Sequence, residues 1–121
     1  MTLFAFYGTF MTGQPGHGNL RGARFVERTQ TAPHYRLLFV DGRWPGLVPS
    51  DEGVAIECEV YECSEELLKR LADVEPPGWT RAPLELEDGR RVDAFLAEER
   101  LAKGAVDISE YGGWAAFISA R

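Results

Sequence analysis

Two places in this 121-residue sequence hold residue types that could do chemistry. The first is Glu75, in Leu71-Ala72-Asp73-Val74-Glu75-Pro76-Pro77-Gly78-Trp79-Thr80-Arg81. A carboxylate closing a helix sits against the negative pole of the helix dipole, and beside proline and tryptophan it loses water if it is buried. Both effects raise its pKa. A carboxyl group that titrates near neutrality can take up and return a proton, which is general acid–base work. The same residues also suit a solvated glutamate at a helix end. The second place is residues 2–20, where the apolar run Leu3-Phe4-Ala5-Phe6-Tyr7 breaks into a loop carrying Gly8, Gly13, Gly16 and Gly18 with the hydroxyls of Thr9 and Thr12. Glycine permits positive φ or a close approach of backbone to ligand, and consecutive N–H groups in such a turn form a concave anion site. A loop that only turns the chain is the plainer alternative.

Several side chains near these two places have two readings each. His17 could touch a substrate or sit on the surface of the loop. The Tyr7 hydroxyl could meet a ligand or close the core. Trp44 and Trp79 could wall a pocket or fill the interior, and Cys58, inward-facing on a strand, reads as packing.

The order Tyr7-Gly8-Thr9-Phe10-Met11-Thr12-Gly13-Gln14-Pro15-Gly16-His17 resembles the YGTLxxGxPxH signature that opens γ-glutamyl cyclotransferase-like proteins, the γ-glutamylamine cyclotransferase branch above all. Phe10 stands where Leu is usual and Gly16 where Asn is frequent. Leu71, Glu75, Trp79 and Arg81 match, in order, that family's LDxxEG helix end and its following aromatic-x-Arg element, with Ala72 in place of Asp and Pro76 in place of Gly. The resemblance implies an α+β fold built as a small mixed β-barrel with few flanking helices, a single domain over residues 1–121, and no metal or other cofactor. It implies catalysis by Glu75 and substrate contacts from Tyr7, Gly8, Thr9, Phe10, Met11, His17, Trp79 and Arg81. The implied reaction cyclises a γ-glutamyl amine or γ-glutamyl amino acid to 5-oxoproline and releases the amine. The tail, residues 107–114, together with residues 31–37, is similar to the C-terminal domain of allophanate hydrolases, which shares the fold. That likeness implies a decarboxylase or accessory domain acting on a small urea-derived dicarboxylate. A non-catalytic small-molecule binder is a third reading, because fold and function separate readily.

The elements that must position these residues follow from pattern. An apolar run without polar alternation, as in residues 3–7, predicts a strand covered on both faces. Residues 23–31 have modest strand character and residues 35–40 stronger character. Residues 43–49 contain Pro45 and Pro49, which argue against continuous sheet pairing and for an exposed or pocket-lining loop. Residues 53–62 alternate, with Val54, Ile56, Cys58 and Val60 on the face expected in the core. Ser64 predicts an N-cap, Glu65 and Glu66 suit the first turn, and Leu67, Leu68, Leu71 and Val74 recur at helical spacing until Pro76-Pro77-Gly78 stops the helix. Asp88-Gly89 predicts a hairpin between residues 79–87 and 91–97. Residues 98–103 suit a helical turn, and residues 107–120 a capped terminal helix whose regular part begins at Gly112-Gly113.

Composition narrows the function classes. A net charge of −6 and a pI near 4.9, with scattered basic residues, argue against nucleic acid as partner. No run approaches the roughly 18 to 20 apolar residues that span a bilayer, and Met1-Thr2 lacks the basic flank of a signal peptide. The expectation is a soluble cytoplasmic protein that meets a small-molecule substrate carrying a carboxylate, without membrane attachment and with a homodimer left open. Cys58 and Cys63 lie in or just after one strand, too ill-placed to bridge, and are expected as reduced thiols. Neither CxxC nor HExxH spacing occurs, so no metal site is visible.

Overall fold

A computed structural model describes all of residues 1–121. Eight strands and two helices follow one another as β1 (Thr2–Phe6), β2 (Arg24–Gln30), β3 (Tyr35–Val40), β4 (Trp44–Pro49), β5 (Glu57–Cys63), α1 (Glu65–Val74), β6 (Trp79–Glu85), β7 (Arg91–Ala97), β8 (Val106–Asp107) and α2 (Trp114–Ser119). The α+β class expected from the sequence is what forms. A five-stranded sheet runs β2-β5-β1-β7-β6, and a three-stranded sheet runs β4-β3-β8. The ladders make two sheets and not a closed barrel. The edges β2 and β6 meet only at the isolated bridge between Thr31 and Leu86. Pro83 removes an N–H from β6, and a register shift between Phe25 and Glu27 kinks β2, so neither edge offers a continuous ladder.

β1 is the middle strand, antiparallel to β5 and parallel to β7. That position explains its unbroken apolar run, since Phe4, Ala5 and Phe6 are covered on both faces. Leu3, at the rim of the strand, remains 37% exposed.

Residues 43–49 depart from the expected loop. They form β4, paired along its length with β3. The strand lies at a sheet edge, where a proline nitrogen has no ladder to serve, and both prolines are tolerated there. On β5 the expected core face holds, with Cys58 and Val60 fully buried. Glu59 and Tyr61 on the opposite face are buried too, because the glycine loop lies over them.

α1 begins as its sequence requires. The Ser64 hydroxyl accepts the Leu67 N–H at 3.1 Å, and Leu67, Leu68 and Leu71 turn inward. Val74 completes the spacing but is 60% exposed at the helix end. In the β6–β7 hairpin the Gly89 N–H donates to the Leu86 carbonyl at 2.9 Å, and Gly89 takes φ +90°, a conformation that favours glycine. The tail is the other departure. Residues 107–120 are not one helix: Asp107 ends β8 and a short 3-10 turn covers Ser109–Tyr111, while the regular helix α2 starts at Trp114 with Gly113 as its N-cap, where the glycine pair placed it. Tertiary bonds decide this. The Ile108 N–H donates to the Leu37 carbonyl and the Leu37 N–H to the Ser109 hydroxyl, both at 2.8 Å, which draws the segment onto β3.

Cys58 and Cys63 are both buried and unbridged. No helix is long and apolar enough to cross a membrane. Because the Ser64 cap starts the helix that delivers Glu75, Ser64→Ala is expected to lower unfolding stability by about 1 kcal/mol, measured by urea denaturation, without altering the fold.

Candidate functional site

A cavity of about 510 Å³ opens between the glycine loop after β1, the start of β4, the C-terminal end of α1 and the face of α2. The loop is shaped by close backbone contacts. A Cβ on Gly8 would collide with the Pro45 ring, and one on Gly16 would come within 2.8 Å of the Thr9 carbonyl oxygen. Instead the Gly16 N–H donates to that carbonyl at 2.9 Å, and the Met11 N–H donates to Gly8 at 3.1 Å. The three N–H groups between these bonds, those of Gly8, Thr9 and Phe10, donate to no protein acceptor, and all three residues line the cavity. Successive free N–H groups in a turn make a site for an anion or a developing oxyanion.

A buried glutamate fixes this loop from behind. Glu59, 1% exposed, accepts the Thr12 N–H at 2.9 Å, the Thr12 hydroxyl at 3.1 Å and the Tyr61 hydroxyl at 3.1 Å, while Arg28 pairs with its other oxygen at 2.9 Å. Burial by itself would raise its pKa. The bonds from Thr12, Arg28 and Tyr61 outweigh that and hold the carboxyl below the usual range.

Glu75 is in the opposite condition. It caps α1 with an extended backbone (φ −70°, ψ 142°), and its N–H closes the last turn on the Leu71 carbonyl at 3.1 Å. Its carboxylate has no hydrogen-bond partner in the protein and lines the cavity. Burial pushes its pKa up to about 7. Desolvation is the acting cause, by the route expected for a carboxyl beside proline and tryptophan.

The walls are aromatic. The Tyr7 ring faces the cavity, but its hydroxyl is committed elsewhere, donating to the Phe95 carbonyl at 2.7 Å and accepting the Leu47 N–H at 3.1 Å, so it ties β1 to the second sheet. Burial, with the nearby Glu75 charge adding to it, keeps this phenol neutral well past its ordinary range. Trp79 is held by its Nε1–H, which donates to the Pro45 carbonyl at 3.0 Å.

Of the residues singled out in the sequence, Tyr7, Gly8, Thr9, Phe10, Gly16, Trp44, Glu75 and Trp79 come together on this cavity. Three of the implied substrate contacts lie outside it. Met11 turns into the core at 2% exposure. His17 places Nδ1 3.0 Å from the Phe10 carbonyl and borders a separate open cleft on the far side of the loop. Arg81 is bound by both oxygens of Glu65 and by Asp93, with its guanidinium over the Phe4 ring. The cavity also holds residues the sequence reading did not single out: Arg43, Asn19, Phe95, Trp114 and Ile118. Arg43 directly follows the Asp41-Gly42 turn, which was legible; that this turn would reach the glycine loop depends on how the sheets meet.

The fold resembles that of AIG2-like, γ-glutamyl cyclotransferase-like proteins. An AIG2-like protein from Mus musculus superposes with a TM-score of 0.65 and 29% identity, over 81% of this chain and 76% of that one. Within that class the match is narrower. The model of the allophanate hydrolase C-terminal domain family spans residues 2–119, and the chain belongs to that family. Urea amidolyase of Saccharomyces cerevisiae is 32% identical over 124 residues, covering 94% of this chain and 7% of that protein. A uropathogenic E. coli-specific protein superposes with a TM-score of 0.92 at 31% identity, over 99% of this chain and 97% of that one. Urea amidolyase of K. lactis gives 0.91 at 26% identity, over 98% of this chain and 8% of that one. The chain thus spans about 7% of the length of the curated relatives it matches.

The state of Glu75 carries a stability signature. Its folded pKa, about 7, lies above the ordinary carboxyl value of about 4.3, so between the two the native state keeps a proton that the unfolded chain gives up. The resulting stabilisation is fully present below the unfolded value and is lost as pH rises through the folded one. It is worth at most on the order of 3 kcal/mol, less for the share of the side chain that meets water. Thermal unfolding at about pH 5 and about pH 8 should therefore show Glu75→Gln gaining on the wild type at the higher pH, with the difference shrinking at the lower one.

Proposed function

We propose that the cavity is the active site of an acid–base enzyme for a small carboxylate-bearing substrate, and that it cyclises a γ-glutamyl amine or γ-glutamyl amino acid to 5-oxoproline. One observation carries the reading: a carboxyl without a protein partner, titrating near neutrality, shares a cavity with three successive free backbone N–H groups. The substrate's own α-amine attacks its γ-carbonyl, so the nucleophile is tethered and the cavity has only to fold the substrate back on itself. A bond forms between the α-nitrogen and the γ-carbon, and the Glu75 carboxylate takes the proton that the nitrogen sheds. The N–H groups of Gly8, Thr9 and Phe10 receive the negative charge that develops on the carbonyl oxygen. As the bond to the leaving amine breaks, Glu75 returns the proton to that nitrogen. With a pKa of about 7 the same group serves as base and then as acid at neutral pH. The two unbridged thiols support a cytoplasmic setting.

The likeness to urea amidolyases favours a second reading, decarboxylation of a small urea-derived dicarboxylate. There the protonated Glu75 would deliver its proton to the atom from which carbon dioxide departs, and the loop N–H groups would hold the remaining anion.

Both readings pass a proton through Glu75, and the product separates them. Incubation with a panel of γ-glutamyl amines should yield 5-oxoproline, and Glu75→Gln should lower turnover by about 10² to 10⁴ while leaving the protein folded. Carbon dioxide release from carboxylated urea derivatives, with no 5-oxoproline from any γ-glutamyl compound, would transfer the site to the second reading. Equal turnover by the folded variant would remove Glu75 from the chemistry.

A further inference from the structure

The cavity described above holds more than the reacting centre uses. Of its lining side chains, Glu75 is the one acid and Arg43 the one base. Arg43 takes part in none of the nine ion pairs in the protein, nor in any side-chain hydrogen bond; its guanidinium lies over the Trp44 ring, 5.0 Å from the centroid. The tight turn at Asp41 and Gly42, with φ of 55° and 66°, sets the direction in which it leaves β3. An exposed guanidinium stacked on an aromatic ring and free of acids is pre-set to take a carboxylate in a bidentate fork.

The second feature is apolar area. Half of the 20 lining residues are hydrophobic, among them Trp44, Trp79, Trp114, Phe10, Phe95 and Ile118, and at about 510 Å³ the cavity falls in the range of about 300 to 1,000 Å³ typical of pockets for drug-sized ligands. A carboxylate on Arg43, an acyl oxygen on the loop N–H groups and a nitrogen at Glu75 together account for the polar groups of a glutamyl or urea-type head. They leave the tryptophan wall uncovered. An apolar substituent laid against these rings is removed from water at no cost in hydrogen bonds, and the Trp79 N–H is already given to Pro45.

We propose that the substrate is a carboxylic acid whose amide nitrogen carries an apolar or aromatic substituent, with Arg43 binding the carboxylate and the tryptophan wall binding the substituent. The assignment rests on the reading of this cavity as the substrate site. It leaves the loop N–H groups to the oxyanion alone, and it makes Arg43 a specificity-determining residue.

Equilibrium binding of unreactive probes tests this apart from catalysis. Glutaric acid monobenzylamide has both features, glutarate has only the carboxylates, and N-benzylglutaramide has the ring and no carboxylate. None has an α-amine, so none can cyclise, and the outcome does not depend on whether Glu75 performs the chemistry. In calorimetric titrations the monobenzylamide should bind at least about ten-fold more tightly than glutarate. Arg43→Met should weaken the monobenzylamide by about ten-fold and leave N-benzylglutaramide unchanged, the latter showing that the cavity is intact. Glutarate binding as tightly as the monobenzylamide would overturn the apolar subsite. Arg43→Met affecting both benzyl compounds alike, or neither, would overturn the role of Arg43.

Discussion

The candidate site depends on a carboxylate that lies outside its cavity. Glu59, on the middle of β5, is buried beneath the glycine loop and accepts both the N–H and the hydroxyl of Thr12. A buried charge is tolerable only when its hydrogen bonds are supplied, and Arg28 and Tyr61 complete the set. This clamp, with Gly8 pressed on Pro45 and Gly16 on Thr9, leaves the chain between them one course to follow. The free N–H groups of Gly8, Thr9 and Phe10 are a consequence of that course.

Two glutamates a short distance apart in sequence thus reach opposite states by the same rules. Glu59 is the more deeply buried, yet stays ionised because donors surround it. Glu75 is half-buried without donors, and its carboxyl moves to about 7. One carboxylate anchors the loop and the other is raised by desolvation that no donor offsets, a division set by the hydrogen-bond supply. The α1 helix makes the second state possible: its cap at Ser64 starts the register, Leu67, Leu68 and Leu71 dock it, and the prolines end it so that Glu75 falls on the cavity wall.

Much of this was legible because local signals and tertiary context agree. The Ser64 cap, the Pro76-Pro77 stop, the Asp88-Gly89 hairpin and the apolar run of β1 each have one strong local solution, and each forms. The order of residues around Gly8 and Glu75 located both halves of the candidate site. Where tertiary pairing decides, sequence pattern falls short. Pro45 and Pro49 read as loop residues, yet an edge position makes β4 a strand; Asp107 and Ser109 read as the start of a helix, yet their bonds to Leu37 and Arg36 pull them onto β3. The resemblance implies a substrate contact for Arg81, but nothing in the sequence shows that Glu65 and Asp93 occupy it. Arg43 and Trp114 escaped for the converse reason: they are distant in sequence from the loop and meet it only when the second sheet and α2 pack against β1.

The proton-holding state of Glu75 underlies both the stability signature and the proposed chemistry, and carbon-detected NMR observes it directly. Titrating the side-chain carboxyl carbon of Glu75 in protein labelled at glutamate should give a midpoint near 7, well above the ordinary glutamate value, while Glu59 should titrate below that value. A Glu75 midpoint at the ordinary glutamate value of about 4.3 would mean that its carboxylate is solvated, and would contradict its role as the group that carries the proton.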